Sequence, residues 1–289
     1  MLERVQVILS PPSSSADPRL QFSLKGRTAV ITGGARGCGL AFAQGLAEAG
    51  ADIVVLDLID PALEFYEIST TFSVKTWHFK VDVSSVESLE KAFSSFLRET
   101  NGALDICVAC AGTNRNVSFT ETDEATFDKL NAVNVKGVFF TAQLAAKAMI
   151  ANKTAKGSII LVASIAAFRA VRGQMSSAYC GTKGAVLSMC PPMAVELAEH
   201  SIRVNSISPG YVLTEMTGTY HPLFRWPNSD TDENTAPFPH LLESWKDEIM
   251  NGTVAEPDDI RGTCIFLASD ASRYMTGHDV PVDGGVLKW

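Results

Sequence analysis

A glycine-rich turn between a predicted strand and a predicted helix constrains the fold of this chain more than any other stretch. Residues 28–31 are a short apolar run typical of a buried strand, and residues 40–49 read as a helix. Gly33, Gly37 and Gly39 lie between them. Such glycines let the backbone turn tightly and approach a pyrophosphate, whose charge is met by N–H groups and the positive end of the helix. Glycine spacing alone is weak support, but the flanking elements make a dinucleotide-binding unit the favoured interpretation.

The second predicted strand, residues 53–57, ends in an acid that bears on the choice of dinucleotide. Asp57 follows the glycine turn by about 20 residues, where a carboxylate can accept both adenosine ribose hydroxyls. The same carboxylate repels a 2′-phosphate and favours NAD. Arg36, inside the turn, argues for NADP because it can lie beside such a phosphate. Asp57 weighs more, because a phosphate buried beside its carboxylate would lose more binding free energy than an exposed Arg36 could contribute. We therefore predict NAD, with NADP possible.

Strand and helix patterns alternate along the rest of the chain, which is typical of an α/β fold with a parallel sheet. The expected strands are 28–31, 53–57, 80–84, 104–109, 157–164, 203–207 and 279–282. The expected helices are 40–49, 86–100 with Ser84 as its cap, 127–150 and 258–268, besides the one that carries Tyr179. An asparagine inside a helix is a poor choice unless its amide or a locally bulged carbonyl is used, so Asn134 is a candidate functional residue.

Tyr179 and Lys183 form a predicted acid/base pair. Four residues apart on a helix, they project from one face, so a phenol and an ammonium can converge on one bound molecule. The neighbouring cation is expected to lower the phenol pKa. Ser164, at the end of the fifth predicted strand, can bring its hydroxyl to the same substrate oxygen. An isolated Tyr-x-x-x-Lys is more often a surface aromatic beside a solvated lysine, and it is the serine and the glycine turn that favour the catalytic interpretation.

Composition excludes several other classes of function. The chain of 289 residues has a net charge of -8 and no basic stripe, which argues against nucleic acid or an anionic membrane as a partner. Apolar runs are far shorter than the about 20 residues of a membrane helix, and residues 1–9 lack the pattern of a secretory signal, so we predict a cytoplasmic protein. The six cysteines are expected to be reduced thiols, and no spacing indicates a metal site, including that of Cys107 and Cys110.

The predicted organisation is a flexible arm followed by one domain. Residues 1–20 are rich in Pro and Ser, and residues 21–289 form the domain. Residues 215–256 are too irregular for a core element and are interpreted as a substrate lid. Its aromatic and histidine side chains suggest a substrate larger and less polar than a sugar alcohol, although each of them can equally pack the lid: Tyr220, His221, Phe224, Trp226, Phe238, His240 and Trp245.

Taken together, these motifs resemble the short-chain dehydrogenase/reductase family over essentially residue 24 to the C-terminus. The motifs, in chain order, are Thr32-Gly33-x-x-x-Gly37-x-Gly39, Asp82, Ala111-Gly112, Asn134, Ser164, Tyr179-x-x-x-Lys183, Pro209-Gly210 and Asp283-Gly284-Gly285. The long gap between Ser164 and Tyr179 and the ending Leu287-Lys288-Trp289 are similar to the mannitol dehydrogenase and sorbose reductase branch.

The resemblance implies a Rossmann-type doubly wound sheet of seven parallel strands, a single domain, and a homo-oligomer, dimer or tetramer. It implies that Tyr179 is the acid/base, that Lys183 binds the nicotinamide ribose, that Ser164 holds the substrate oxygen and that Asn134 holds a water. Spacing and resemblance together predict a larger set of cofactor contacts. They are Gly33, Arg36, Gly37, Cys38, Gly39, Asp57, Asp82, Val83, Ala111, Gly112, Tyr179, Lys183, Pro209, Gly210, Val212 and Thr214.

Three departures from the family pattern qualify this interpretation. Cys110 stands where many members have Asn, so a hydrogen bond that braces the sheet is expected to be missing. Pro191-Pro192 remove two N–H donors from the Tyr179 helix and should kink or split it. Asp57-Leu58 and the longer lid differ from the NADP-type polyol enzymes.

The favoured function is interconversion of a secondary alcohol and a ketone by hydride transfer, without a metal. Two alternatives remain open. One is a cofactor-binding sensor or scaffold on the same fold, which the presence of all four catalytic groups argues against. The other is a tailoring enzyme that uses the cofactor for imine reduction or cyclisation.

Overall fold

The computed structural model describes residues 18–171, 173–218 and 238–288. Residues 1–17 of the predicted arm lie outside the described residues, and its end forms a 3-10 helix, Pro18–Phe22. Residues 219–237 of the predicted lid also lie outside them, with the candidates Tyr220, His221, Phe224 and Trp226.

A parallel sheet of seven strands forms the centre of the described part of the chain. The strands are β1 (Thr28–Thr32), β2 (Asp52–Asp57), β3 (Thr76–Lys80), β4 (Ile106–Ala109), β5 (Gly157–Val162), β6 (Ile202–Pro209) and β7 (Asp279–Val282). Their order is β3-β2-β1-β4-β5-β6-β7, and each neighbouring pair is parallel. The order reverses between β1 and β4, so a crevice opens there at the carboxyl ends of the strands.

Helices cover both faces of the sheet, which explains why the central strands are continuous apolar runs. They are α1 (Gly37–Glu48), α2 (Leu63–Phe72), α3 (Val86–Glu99), α4 (Glu124–Asn131), α5 (Val138–Ala151), α6 (Ser177–Leu197), α7 (Glu215–Gly218), α8 (Phe238–Glu248) and α9 (Pro257–Ala268). One core cluster joins the sheet to α3, α5 and α6, and a second joins its other face to α1, α2 and α9. The predicted doubly wound, seven-stranded fold is therefore confirmed.

The predicted helix 127–150 is three pieces. A π-helical segment, Ala132–Gly137, separates α4 from α5 and contains Asn134. The extra residue of a π turn re-aims the side chains around it, a feature frequent at functional sites. The local bulge that an asparagine inside a helix suggests is present.

The predicted cap of α3 is wrong. The cap of α3 is Ser85, whose hydroxyl accepts the Ser88 N–H at 3.3 Å, whereas the Ser84 hydroxyl donates to the Asp82 carboxylate at 2.7 Å. The turn after β3 thus uses Ser84 to hold Asp82, which leaves the next residue as cap.

Helix α6 is not split at Pro191 and Pro192 but runs unbroken through Leu197. Both prolines lie on its exposed face, while Cys190 and Ala194 are buried against the sheet. The carbonyls that lose their N–H partners lie one turn earlier, on a face that solvent reaches, and burial of the other face holds the helix together.

Part of the predicted lid is packed into the body of the protein. Trp245 of α8 is fully buried, and its ring stacks on that of Tyr211 with 4.7 Å between centroids. Its role is packing rather than the suggested substrate contact. Among the residues described, none of the helices has both the length and the apolarity to cross a membrane.

Candidate active site

A cleft of about 440 Å³ opens at the carboxyl ends of the strands, at the crevice between β1 and β4. The structure brings almost all the predicted site residues to this one cleft. Its lining includes Gly33, Arg36, Gly37, Cys38, Gly39, Asp57, Asp82, Val83, Ala111, Gly112, Ser164, Tyr179, Lys183, Pro209, Gly210, Val212 and Thr214. Asn134 is the exception. It is fully buried behind the residues that line the cleft, and it contacts those residues rather than the cleft itself.

The glycine turn forms a cradle that side chains would fill. Gly33 has a φ of +70°, and a Cβ there would lie 2.7 Å from the Cα of Ala111. A Cβ on Gly39 would lie 2.0 Å from the Gly33 carbonyl oxygen. Only glycines therefore allow this tight turn and the close approach of residue 33 to Ala111. The turn also leads into the positive end of α1, so the cradle fits a pyrophosphate.

The Asp57 carboxylate is fixed at the end of β2 next to this turn. Its Oδ2 accepts the backbone N–H of Ala35 at 2.9 Å, and its Oδ1 accepts that of Ile59 at 3.3 Å. Each oxygen retains acceptor capacity. A ligand that offers two hydroxyls to this edge can therefore be held without moving the side chain.

Asn134 is clamped by three hydrogen bonds. Its Oδ1 accepts the N–H of Thr113 at 2.8 Å, and its Nδ2 donates to the Thr113 carbonyl at 2.9 Å and to the Thr182 hydroxyl at 3.1 Å. The residue is fully buried. The amide thus ties the loop after β4 to helix α6, and none of its side-chain atoms points freely into the cleft.

Thr182 was not among the residues predicted from the sequence. Its hydroxyl accepts from Asn134 and donates to the carbonyl of Tyr179 at 2.7 Å. The available signal was a hydroxyl residue between the Tyr and the Lys, because a threonine inside a helix often bonds back to a carbonyl of the preceding turn.

Tyr179 and Ser164 both line the cleft. The Ser164 hydroxyl lies close enough to the Tyr179 phenol to favour its ionised form. It also accepts the N–H of Ala166 at 3.1 Å, in the 3-10 turn Ile165–Ala167 that follows β5. Strand β5 and helix α6 therefore deliver the two hydroxyls to one point.

The pKa of Tyr179 does not move in the expected direction. Burial raises the pKa of the phenol above its ordinary value, and the Ser164 hydroxyl opposes the rise. The Lys183 Nζ lies 5.8 Å from the centroid of the Tyr179 ring, over its face. The pKa of the phenol is therefore raised rather than lowered as predicted, because desolvation by burial is the largest influence on it.

Lys183 is a buried cation held by the sheet. Only 4% of the residue is exposed, and its Nζ donates to the Val162 carbonyl at 2.8 Å. Desolvation lowers its pKa from 10.5 to about 8, partly offset by the thiols of Cys110 and Cys38. The ammonium retains donors for a ligand in the cleft.

The six cysteines form no disulfide in this structure. All six cysteines are free, and burial raises the pKa of the Cys38 thiol to about 11 and that of Cys107 to about 12. Within the described residues, the Cys110 thiol makes no hydrogen bond to the sheet, in line with the missing brace. In the same part of the chain no group of three His, Cys, Asp or Glu side chains could hold a metal ion.

The chain is similar to known oxidoreductases along nearly its whole length. Residues 33–287 match the family model described as enoyl-(acyl carrier protein) reductase. A sorbose reductase of Schizosaccharomyces pombe is 34% identical over 267 residues, which cover 91% of this chain and 97% of that one.

Two solved structures have the same fold. A short-chain type dehydrogenase/reductase from Mycobacterium marinum is 34% identical, with a TM-score of 0.83, and the match covers 93% of this chain and 98% of that one. A gluconate 5-dehydrogenase from Burkholderia cenocepacia, solved with NADP and tartrate, is 30% identical, with a TM-score of 0.81, and the match covers 94% and 100%.

Proposed function

The chain belongs to the short-chain dehydrogenase/reductase family, and we propose that it interconverts a secondary alcohol and a ketone with a nicotinamide dinucleotide. One observation carries the proposal: a single cleft has the glycine cradle and Asp57 toward one end and Ser164, Tyr179 and Lys183 toward the other. A cradle for a pyrophosphate and a set of groups that bind and protonate an oxygen are the two parts that this reaction requires.

The four catalytic residues divide the work of binding and proton transfer. The dinucleotide supplies or accepts the hydride when it is bound. Ser164 holds the substrate oxygen, and Tyr179 donates a proton to it during reduction or removes one during oxidation. Lys183 binds the nicotinamide ribose with its ammonium. Asn134 acts from behind the wall, where it fixes the loop after β4 against α6.

The cofactor is proposed to be NAD, with NADP possible. Asp57 lines the cleft with acceptor capacity to spare, which suits two ribose hydroxyls and opposes a phosphate. Arg36 lines the same cleft and is the group that could pair with a phosphate. Because the Burkholderia enzyme was solved with NADP, NADP is the second candidate cofactor for this chain.

The substrate is proposed to be a hydroxylated ketone or the corresponding alcohol, because the relatives named above act on sorbose and gluconate. A larger and less polar substrate is the second candidate, since the family pattern is modified at Asp57-Leu58 and in the lid. The homotetramer and the cytoplasmic location remain predictions, as do the arm and the lid as parts of the domain plan.

A substrate panel with both dinucleotides tests the function. The purified full chain is assayed with NADH and NADPH against sugar ketones such as sorbose and against apolar cyclic and aryl ketones, and the reverse reaction is assayed with polyols. We expect turnover of at least one ketone class. A protein that binds NADH but oxidises it with no carbonyl compound would instead favour the sensor or scaffold.

A further inference from the structure

Helix α8 is joined to the Ser164 side of the cleft by a largely buried ion pair. Arg169 Nη2 lies 3.2 Å from Glu248 Oε2, and the side chain of Glu248 is 9% exposed. The Tyr211 hydroxyl donates to the same oxygen at 2.9 Å. Three separate parts of the chain therefore meet on one carboxylate: the loop after β5, the segment after β6 and the end of α8.

Arg169 is also tied directly to the turn that carries Ser164. Its Nη1 donates to the Val286 carbonyl at 3.3 Å and its Nε to that of Ala170 at 3.2 Å. Its backbone N–H bonds the Ile165 carbonyl at 3.3 Å. Since Ile165 follows Ser164 and starts the 3-10 turn, the backbone of Arg169 is bonded to the turn that orients the Ser164 hydroxyl.

An apolar cluster connects the same elements to the catalytic tyrosine. Ile165, Ala166, Tyr211 and Trp245 belong to one buried cluster, and Tyr179 packs against it. The ion pair lies at the edge of this cluster, where the charges are partly removed from water. A buried pair of this kind is sensitive to the loss of either charge, because the charge that remains stays partly removed from water.

Gly284 and Gly285, in the turn after β7, pack against the end of α8. A Cβ on Gly284 would lie 2.5 Å from the Ile249 Cγ2, and one on Gly285 would lie 2.7 Å from the Met250 Sδ. Both glycines have positive φ values, 63° and 93°. The turn after β7 thus packs directly against the residues at the end of α8.

We propose that Arg169 and Glu248 are positioning residues of the reaction: their ion pair couples helix α8 to the Ser164 turn and holds the Ser164 hydroxyl toward Tyr179. The inference rests on the proposed function for its catalytic consequence. It concerns the substrate half of the cleft alone, since the glycine cradle and Asp57 are built from β1, β2 and α1.

The test compares Arg169→Met, Glu248→Gln and the double variant in the full chain. Glu248→Gln is the mild change, because a Gln oxygen still accepts from Tyr211. The control is Lys246→Met on the same helix, which breaks the more exposed Lys246–Glu243 pair. Three quantities are measured: hydrogen exchange in residues 165–171 and 242–249, the Kd of NADH, and kcat and KM with the best ketone of the panel.

We expect Glu248→Gln to speed exchange in residues 165–171, and Arg169→Met to speed it in 242–249, each by about tenfold, while Lys246→Met changes neither. The kcat should fall by about tenfold or more with the Kd of NADH within about twofold, and the double variant should be no worse than the worse single one. Unchanged exchange at 165–171 in Glu248→Gln, or equal losses in NADH binding and kcat, would overturn the proposal. If the wild type turns over no ketone, the proposed function fails, and the exchange data still decide whether the two segments are coupled.

Discussion

The side-chain amide of Asn134 donates a hydrogen bond of 3.1 Å to the hydroxyl of Thr182, which joins the π-helical segment to the helix that carries Tyr179 and Lys183. The same hydroxyl donates to the Tyr179 carbonyl at 2.7 Å. Both residues are buried, at 0% and 2% exposure, so water cannot replace either bond. Thr182 is therefore the link that joins the Asn134 amide to the helical turn of Tyr179 and Lys183.

We expect Thr182→Val to lower kcat by about tenfold and to destabilise the fold by about 1–3 kcal/mol, because it leaves one N–H of the buried Asn134 amide without a partner. Thr182→Ser keeps the hydroxyl and should retain most of both. Steady-state kinetics and thermal unfolding measure the two effects. A loss confined to the Ser variant, which lacks the methyl group that Val keeps, would show that the methyl group rather than the hydroxyl is what matters.

The architecture of this protein could be predicted because its signals are local and repeated. Apolar runs alternate with helical stretches, and the sheet made of them has the expected seven strands in a reversing order. The convergence of the site residues was also predictable, because carboxyl ends of parallel strands meet at one edge. Gly33 and Asp57, for example, could be assigned to this edge because each lies at the carboxyl end of a predicted strand.

What could not be predicted depends on neighbours that are distant in sequence. The choice of Ser85 over Ser84 as cap follows from the bond between Ser84 and Asp82. The continuity of α6 through Pro191 and Pro192 follows from burial of its other face. The raised pKa of Tyr179 depends on how deeply the phenol is enclosed, a property of the assembled cleft.

Tyr179→Phe is expected to lower kcat by about 10³-fold or more while the Kd of NADH changes little. The substitution removes the proton donor and leaves the ring that packs against the buried cluster. Ser164→Ala should lower kcat less, because Tyr179 can still donate a proton to the substrate oxygen. Fluorescence titration with NADH, run beside the kinetics, separates binding from chemistry. Residual turnover near the wild-type rate in Tyr179→Phe would assign the acid/base role elsewhere.

Asp57→Ala is expected to weaken NADH by about tenfold and to affect NADPH much less, because only NADH presents two free adenosine ribose hydroxyls to the carboxylate. The substitution also removes the acceptor for the Ala35 N–H, so Asp57→Asn serves as the control. Asn keeps an acceptor without the charge, and its ratio of NADPH to NADH affinity should rise. The Kd values of both dinucleotides are measured for both variants. An equal loss for the two dinucleotides would remove the basis for the NAD preference.

Lys183→Met is expected to stabilise the fold while it abolishes turnover, because burial of the ammonium opposes folding. The pKa of Lys183 is lowered from 10.5 to about 8, so at pH 7 its protonated form is disfavoured in the folded state. Each unit of such a shift corresponds to about 1.4 kcal/mol, which sets an upper limit of about 3 kcal/mol. The lost hydrogen bond to the Val162 carbonyl reduces the gain to about 1–2 kcal/mol.

The sign of the pH dependence follows from which state holds more protons. Between about pH 8 and 10.5 the folded wild type has released the Lys183 proton and the unfolded chain has not, so the wild-type free energy of unfolding rises with pH. The Met variant lacks this titration, and its advantage should therefore be largest at pH 7 and should disappear as the pH approaches 10. Urea unfolding at pH 7, 8, 9 and 10 measures the difference, with the exposed Lys147→Met as the control that should show no trend. A difference that stays constant over this range would mean that the Lys183 ammonium is not strained by its burial, and that the cleft solvates it far better than its contacts suggest.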